Sequence, residues 1–104
     1  MLALLMGMRQ HLRMRLVTDL VIVVDTYHHL SGRVAYFRKL ARSLKPSGRI
    51  AIIDFKPESK MGPMEKLAPA QVIREVAEAG YSLMAERTFL PEQYFLIVAA
   101  TQPM

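Results

Sequence analysis

Three short, nearly unbroken apolar runs constrain this chain more than any other feature. Asp19–Asp25 reads DLVIVVD, Arg49–Phe55 reads RIAIIDF and Tyr94–Ala100 reads YFLIVAA. Each is too short for a typical helix and rich in β-branched residues. None shows the apolar–polar alternation of a strand that is wet on one side. In Asp19–Asp25 that is the look of a parallel strand buried on both faces; Arg49–Phe55 reads as a second buried strand and Tyr94–Ala100 as another apolar strand.

The intervening segments supply the helices. Ser31-Gly32 breaks the chain after the first run. Val34, Phe37, Leu40, Ala41 and Leu44 then recur at helical spacing, with Arg33, Arg38, Lys39, Arg42 and Ser43 largely opposite them. Lys45-Pro46-Ser47-Gly48 closes this helix, because Pro46 cannot continue it and Gly48 tolerates the turn. Strand, helix and strand make one βαβ unit, expected to cross over right-handed. Lys56–Pro69 carries Pro57, Gly62, Pro63 and Pro69 and reads as a long loop of the kind that is often functional. Pro69 opens a second helix, which buries Val72, Ile73, Val76 and Ala77 and stops at Gly80. Tyr81–Phe89 alternates in part. Leu90-Pro91-Glu92-Gln93 joins it to Tyr94–Ala100 so closely that only a hairpin fits. The expected sheet has two parallel strands followed by an antiparallel pair.

Composition narrows the function. The chain has 104 residues, 52% apolar and 22% charged, which suits one small globular domain. Its formal charge of +5 permits contact with nucleic acid. However, the basic residues are spread out, and no aromatic platform accompanies them. Nucleic-acid binding therefore ranks last among the functions considered. The absence of cysteine excludes a disulfide framework and a thiolate metal site. Met1–Met8 is apolar, but Arg9, Arg13 and Arg15 follow it, the reverse of a secretory signal. No apolar stretch approaches the roughly 20 residues that span a bilayer. The expectation is a cytoplasmic protein with no membrane segment.

Residues 1–18 form a separate segment with two competing patterns. Leu5, Met8 and Leu12 share a helical face, whereas Leu12, Met14 and Leu16 alternate with Arg13 and Arg15 as in a strand.

Ligands of open α/β sheets sit beyond the C-terminal ends of the parallel strands. There the chain places Asp25-Thr26-Tyr27-His28-His29 and Asp54-Phe55-Lys56-Pro57. His28 and His29 are the candidate catalytic groups, since imidazoles exchange protons near neutral pH. Simpler roles compete. Asp25 and Thr26 can satisfy turn backbone, Tyr27 can be core with a wet tip, and Asp54 can form a turn. Adjacent imidazoles point different ways and no third ligand is suitably spaced, so no metal site is expected.

These residues carry a resemblance. Asp19–His29 resembles the fourth strand and following motif of class I S-adenosylmethionine-dependent methyltransferases. Leu44–Phe55 is similar to their "LkPgG" turn and fifth strand, with Ser47 where glycine is commoner. Ala79-Gly80-Tyr81 resembles the "AGF" step before the sixth strand, and Leu90–Val98 the approach to the seventh. The resemblance implies an α/β fold with a Rossmann-like sheet ordered 3-2-1-4-5-7-6. Residues 19–104 would supply strands 4-5-7-6, the last one antiparallel, with flanking helices. It also implies S-adenosylmethionine as cofactor, a small-molecule methyl acceptor that it does not name, and Asp25, Thr26 and Tyr27 beside the cofactor. The family's glycine-rich loop has no match, because Gly7, Gly32, Gly48, Gly62 and Gly80 are all isolated. The chain is therefore expected to be a C-terminal half-domain, weak or inactive alone. The alternative is a non-enzymatic α/β interaction module. In either case strand 19–25 would be a bare apolar edge in need of cover. Residues 1–18 (with Leu12–Val17 as an added strand), a second copy or a complementing polypeptide would provide it.

Overall fold

The computed structural model describes residues 2–6 and 18–101. Five strands form one sheet: β1 (Leu2–Met6), β2 (Thr18–Val24), β3 (Leu44–Phe55), β4 (Tyr81–Arg87) and β5 (Gln93–Ala100). Among the described residues two α-helices accompany them, α1 (Arg33–Leu40) and α2 (Pro69–Glu78). The spatial order is β1-β2-β3-β5-β4. β1, β2 and β3 are parallel, and β5 runs antiparallel to both β3 and β4. From β2 onward this is the expected 4-5-7-6 sheet, with the last strand antiparallel.

The apolar edge of β2 is covered, by Leu2–Met6. Leu12–Val17, the segment with the strand pattern, lies outside the described residues. Two local differences have physical causes. α1 ends at Leu40 and continues only as a single 3-10 turn, Ala41–Ser43. Leu44 is thereby released to pair with Thr18 in the sheet, and Lys45–Gly48 form an irregular excursion within β3 rather than a turn before it. Gly48 is not among the positive-φ glycines. Among the described residues those are Gly32 ahead of α1, Gly62 in the long loop and Gly80 after α2. Ala77, expected on the buried face of α2, is exposed, leaving Val72 and Val76 as that helix's fully buried anchors.

The core lies on one side of the sheet. Val21 and Val23 of β2, Ile50 and Ile52 of β3, and Leu96 and Val98 of β5 all point to it and are fully buried. Phe37 of α1 and Val72 and Val76 of α2 close it. Its aromatic seam runs from Tyr27 through Phe37 to Tyr81, with edge-on contacts at 5.4 and 5.8 Å. The Tyr81 hydroxyl donates to the Phe37 carbonyl at 2.6 Å, so the seam is also tied by a hydrogen bond.

Candidate functional site

β2 ends at Val24, and the next residue bends the chain sharply. Asp25 has φ +50, the left-handed region that non-glycine residues seldom adopt. Two contacts hold it there. Its backbone N–H donates to the Ile53 carbonyl at 2.8 Å, and its carboxylate accepts from Gln93 Nε2 at 2.6 Å. Partial burial raises the Asp25 carboxyl above its ordinary value. The Gln93 bond opposes that shift and the Asp54 charge adds to it. Thr26 is fully buried and its hydroxyl donates to the Val24 carbonyl. Tyr27, His28 and His29 then form one 3-10 turn.

This turn swings His28 across to the end of β3. Its Nδ1 lies 2.9 and 2.8 Å from the two oxygens of Asp54, and its backbone N–H donates to Asp54 Oδ2 at 3.2 Å. Asp54 Oδ1 also accepts the Phe55 N–H. Asp54 is buried, and these donors replace the water that its carboxylate has lost. A carboxylate oxygen accepts, so this contact suits the tautomer with the proton on Nδ1, and Nε2 is the ring nitrogen that does not contact Asp54. The His28 side chain is 8% exposed, and Nε2 is buried with no hydrogen-bond partner among the described residues. His28 also lines a cavity of about 400 Å³, together with Arg33 and Met64–Leu67. His29 is exposed, and its ring lies tilted against the His28 ring with the centroids 4.1 Å apart. Among the described residues no three His, Cys, Asp or Glu side chains are grouped to hold a metal.

A second network braces the turn from the helices. The Tyr27 hydroxyl donates to Glu75 Oε1 at 2.7 Å. Arg33 grips the same carboxylate with Nε at 2.7 Å and Nη2 at 3.0 Å, and Gln71 donates to Oε2. The Arg33 hydrogen bonds hold Glu75 down to about 2 against the opposing effect of burial, with Gln71 and Tyr27 assisting. Burial, then the Glu75 hydrogen bond, pushes the Tyr27 phenol above its usual range. The Arg33 guanidinium also sits 5.4 Å from the Tyr27 ring centre. The other wall of the cavity belongs to the loop before α2, whose end is tied by the Tyr94 hydroxyl donating to the Leu67 carbonyl.

The structure thus brings Asp25, Thr26, Tyr27, His28 and Asp54 together at the strand ends and leaves His29 at the surface. Thr26 and Tyr27 spend their hydroxyls inside the protein. Sequence reasoning missed Gln93, Glu75 and Arg33. These partners are 42 to 68 positions from the residues they hold, so no local pattern marks them.

No family model matches the chain, and no curated protein matches it. Solved structures do. A SAM-dependent methyltransferase from Aquifex aeolicus superposes with a TM-score of 0.76 at 24% identity, over 84% of this chain and 50% of that one. The glycopeptide N-methyltransferase MtfA, complexed with sinefungin, gives 0.71 at 12% identity, over 89% and 57%. NcsB1, an O-methyltransferase from neocarzinostatin biosynthesis in complex with S-adenosyl-L-homocysteine and 1,4-dihydroxy-2-naphthoic acid, gives 0.66 at 15%, over 83% and 30%. The chain therefore has a methyltransferase-like α/β fold. It spans about half the length of the Aquifex protein, consistent with a C-terminal half. No helix among the described residues is long and apolar enough to cross a membrane.

Proposed function

We propose that the chain carries the acceptor-side half of an S-adenosylmethionine-dependent methyltransferase site, with His28 as the general base. The observation that carries this reading is the His28–Asp54 pair at the C-terminal ends of adjoining parallel strands, with Nε2 buried and, among the described residues, unpaired, on a side chain that lines a cavity. S-adenosylmethionine, when bound, supplies the methyl group. Asp54 fixes the imidazole so that Nε2 offers its lone pair toward an acceptor hydroxyl or amine. Nε2 takes the proton that such a nucleophile loses. His29, at the surface, is the secondary candidate for proton exchange with solvent.

The fit to the cofactor is partial. The bend at Asp25 presents a carboxylate and turn backbone beyond the strand end, where the cofactor would lie. The hydroxyls of Thr26 and Tyr27 are turned inward, so these residues would contribute shape and backbone rather than free hydroxyls. No glycine-rich loop exists in the sequence to hold the remainder. Binding by this chain alone is expected to be weak.

Nitrogen-15 NMR of the imidazoles tests the base directly. The expected result is the Nδ1–H tautomer for His28 at neutral pH and a shift of its Nε2 signal on addition of a phenol. An Nε2–H tautomer would remove the base from the reading. In parallel, calorimetric titration with S-adenosylhomocysteine is expected to show weak binding that Asp25→Ala abolishes. No heat even at millimolar ligand would remove the cofactor contact from this chain.

A further inference from the structure

Side chains alternate across a strand, so the register fixes what each face of the sheet carries. Ile50, Ile52, Leu96 and Val98 face the helices. Their neighbours face the other way. Ile22, Ala51 and Ile97 form one cross-strand row of that second face, and Val24, Ile53 and Phe95 form the next. None of these six belongs to the hydrophobic core cluster or packs against it. Among the described residues both helices lie on the first face. Parallel strands ordinarily have helices on both faces, so among the described residues this face lacks a layer.

Its polar residues point to what the layer is. Arg49 of β3 and Arg87 of β4 have the same facing as the two rows. Among the described residues the Arg49 side chain hydrogen-bonds only to the Ser47 and Gly48 carbonyls of its own strand. Neither arginine forms an ion pair among the described residues, and no register position on the face from β2 to β4 is acidic. A second copy laid face to face would bring four arginines together with no carboxylate between them. The occupant must therefore supply the acids. Its size follows from strand geometry. Four strands about 4.8 Å apart and about five residues tall give on the order of 300–400 Å². That is about half of what each partner buries in a standard globular interface, and it suits one or two helices.

We propose that the open face docks an amphipathic helical segment of another polypeptide, one whose apolar stripe is flanked by carboxylates that meet Arg49 and Arg87. Arg87 pairs with Phe95, and Arg49 adjoins Ile50, which pairs with Val98. The arginines are thus two strands and roughly four residues apart, a diagonal of about 16 Å. At 1.5 Å per residue, the two carboxylates belong about eleven positions apart on the helix. This inference does not depend on methyl transfer.

The test uses the full chain and two labelled synthetic 20-residue helical peptides with one identical leucine stripe. One carries glutamates eleven positions apart beside the stripe, and the other carries lysines there. Fluorescence anisotropy is expected to show binding of the glutamate peptide only. That binding should weaken about tenfold when Arg49→Glu and Arg87→Glu are combined, and it should be lost in Ile97→Asp. Circular dichroism melts confirm that each variant is folded. Equal binding of both peptides, or of neither, overturns the proposal. So does a dimer in light scattering that Ile97→Asp dissociates, which would make a second copy the occupant.

Discussion

Ile52 and Ile53 are neighbours in one strand, chemically identical, and live in different environments. Ile52 is fully buried beneath the helices, whereas Ile53 lies on the open face and is only partly buried. The same division runs through the whole sheet. On the helix side, apolar packing continues into the polar cluster of Tyr27, His28, Asp54 and Glu75. On the other side, equally apolar residues meet no helix among those described. An apolar residue contributes according to what covers it, so the apolar character of a strand does not by itself measure its share of stability.

The sharpest test of that contrast is the pair itself. Ile52→Ala should destabilise the chain by about 2–5 kcal/mol, the range for a truncated core isoleucine. Ile53→Ala should cost about 1 kcal/mol, because less area leaves water there. Urea unfolding followed by circular dichroism reads both, and equal losses would mean that both faces are covered in solution.

A smaller effect belongs to the polar end of the helix side. Asp54→Ala leaves the His28 ring nitrogen and two backbone N–H groups without their acceptor, and about 2 kcal/mol should be lost. Asp54→Asn, which keeps the shape and one acceptor oxygen, should lose less. If the two variants melt alike, packing rather than the hydrogen bonds holds the turn.

The corresponding test for the open side is at Gly62. Its φ is +79, and an added Cβ would lie 2.5 Å from the Phe55 ring. Gly62→Ala should cost about 1–2 kcal/mol. Combining it with Phe55→Leu should recover part of that loss in a double-mutant cycle. Simple additivity would place the strain in the backbone alone.

The smallest effect depends on pH. Glu75 is held near 2 in the fold against an ordinary 4.5, so its contribution is complete above about pH 4.5 and disappears as pH falls toward 2. Solvent screening limits this to on the order of 1 kcal/mol. Chemical denaturation from pH 6 to pH 2.5 should show a flatter loss for Glu75→Gln than for the natural chain. Parallel curves would show that Glu75 does not couple the helices to the turn.

The strands were legible because strands inside a sheet leave continuous β-branched runs, as in Val21–Val24 and Ile50–Ile53, although among the described residues helices cover only one of their two faces. The hairpin was legible because four residues cannot make a parallel crossover. Ser31-Gly32, Pro69 and Gly80 marked the helix ends through local backbone preference. The strand-end cluster was legible as a location, since Asp25–His29 follows a buried run. Its wiring was not. Nothing local says that His28 rather than His29 turns inward, since the choice depends on where the end of β3 places Asp54.

By itself, then, the sequence determined the elements, their order and which residues stand at the strand ends, because those follow from periodicity and from the dihedral limits of proline and glycine. Only the tertiary structure decided that Asp54 holds His28, that Glu75 joins Tyr27 to Arg33, that Leu2–Met6 lies on the edge of β2, and that, among the described residues, the helices close one apolar face and not the other. These facts depend on contacts between residues distant in the chain, and a local pattern carries no record of which distant partner fills a given space.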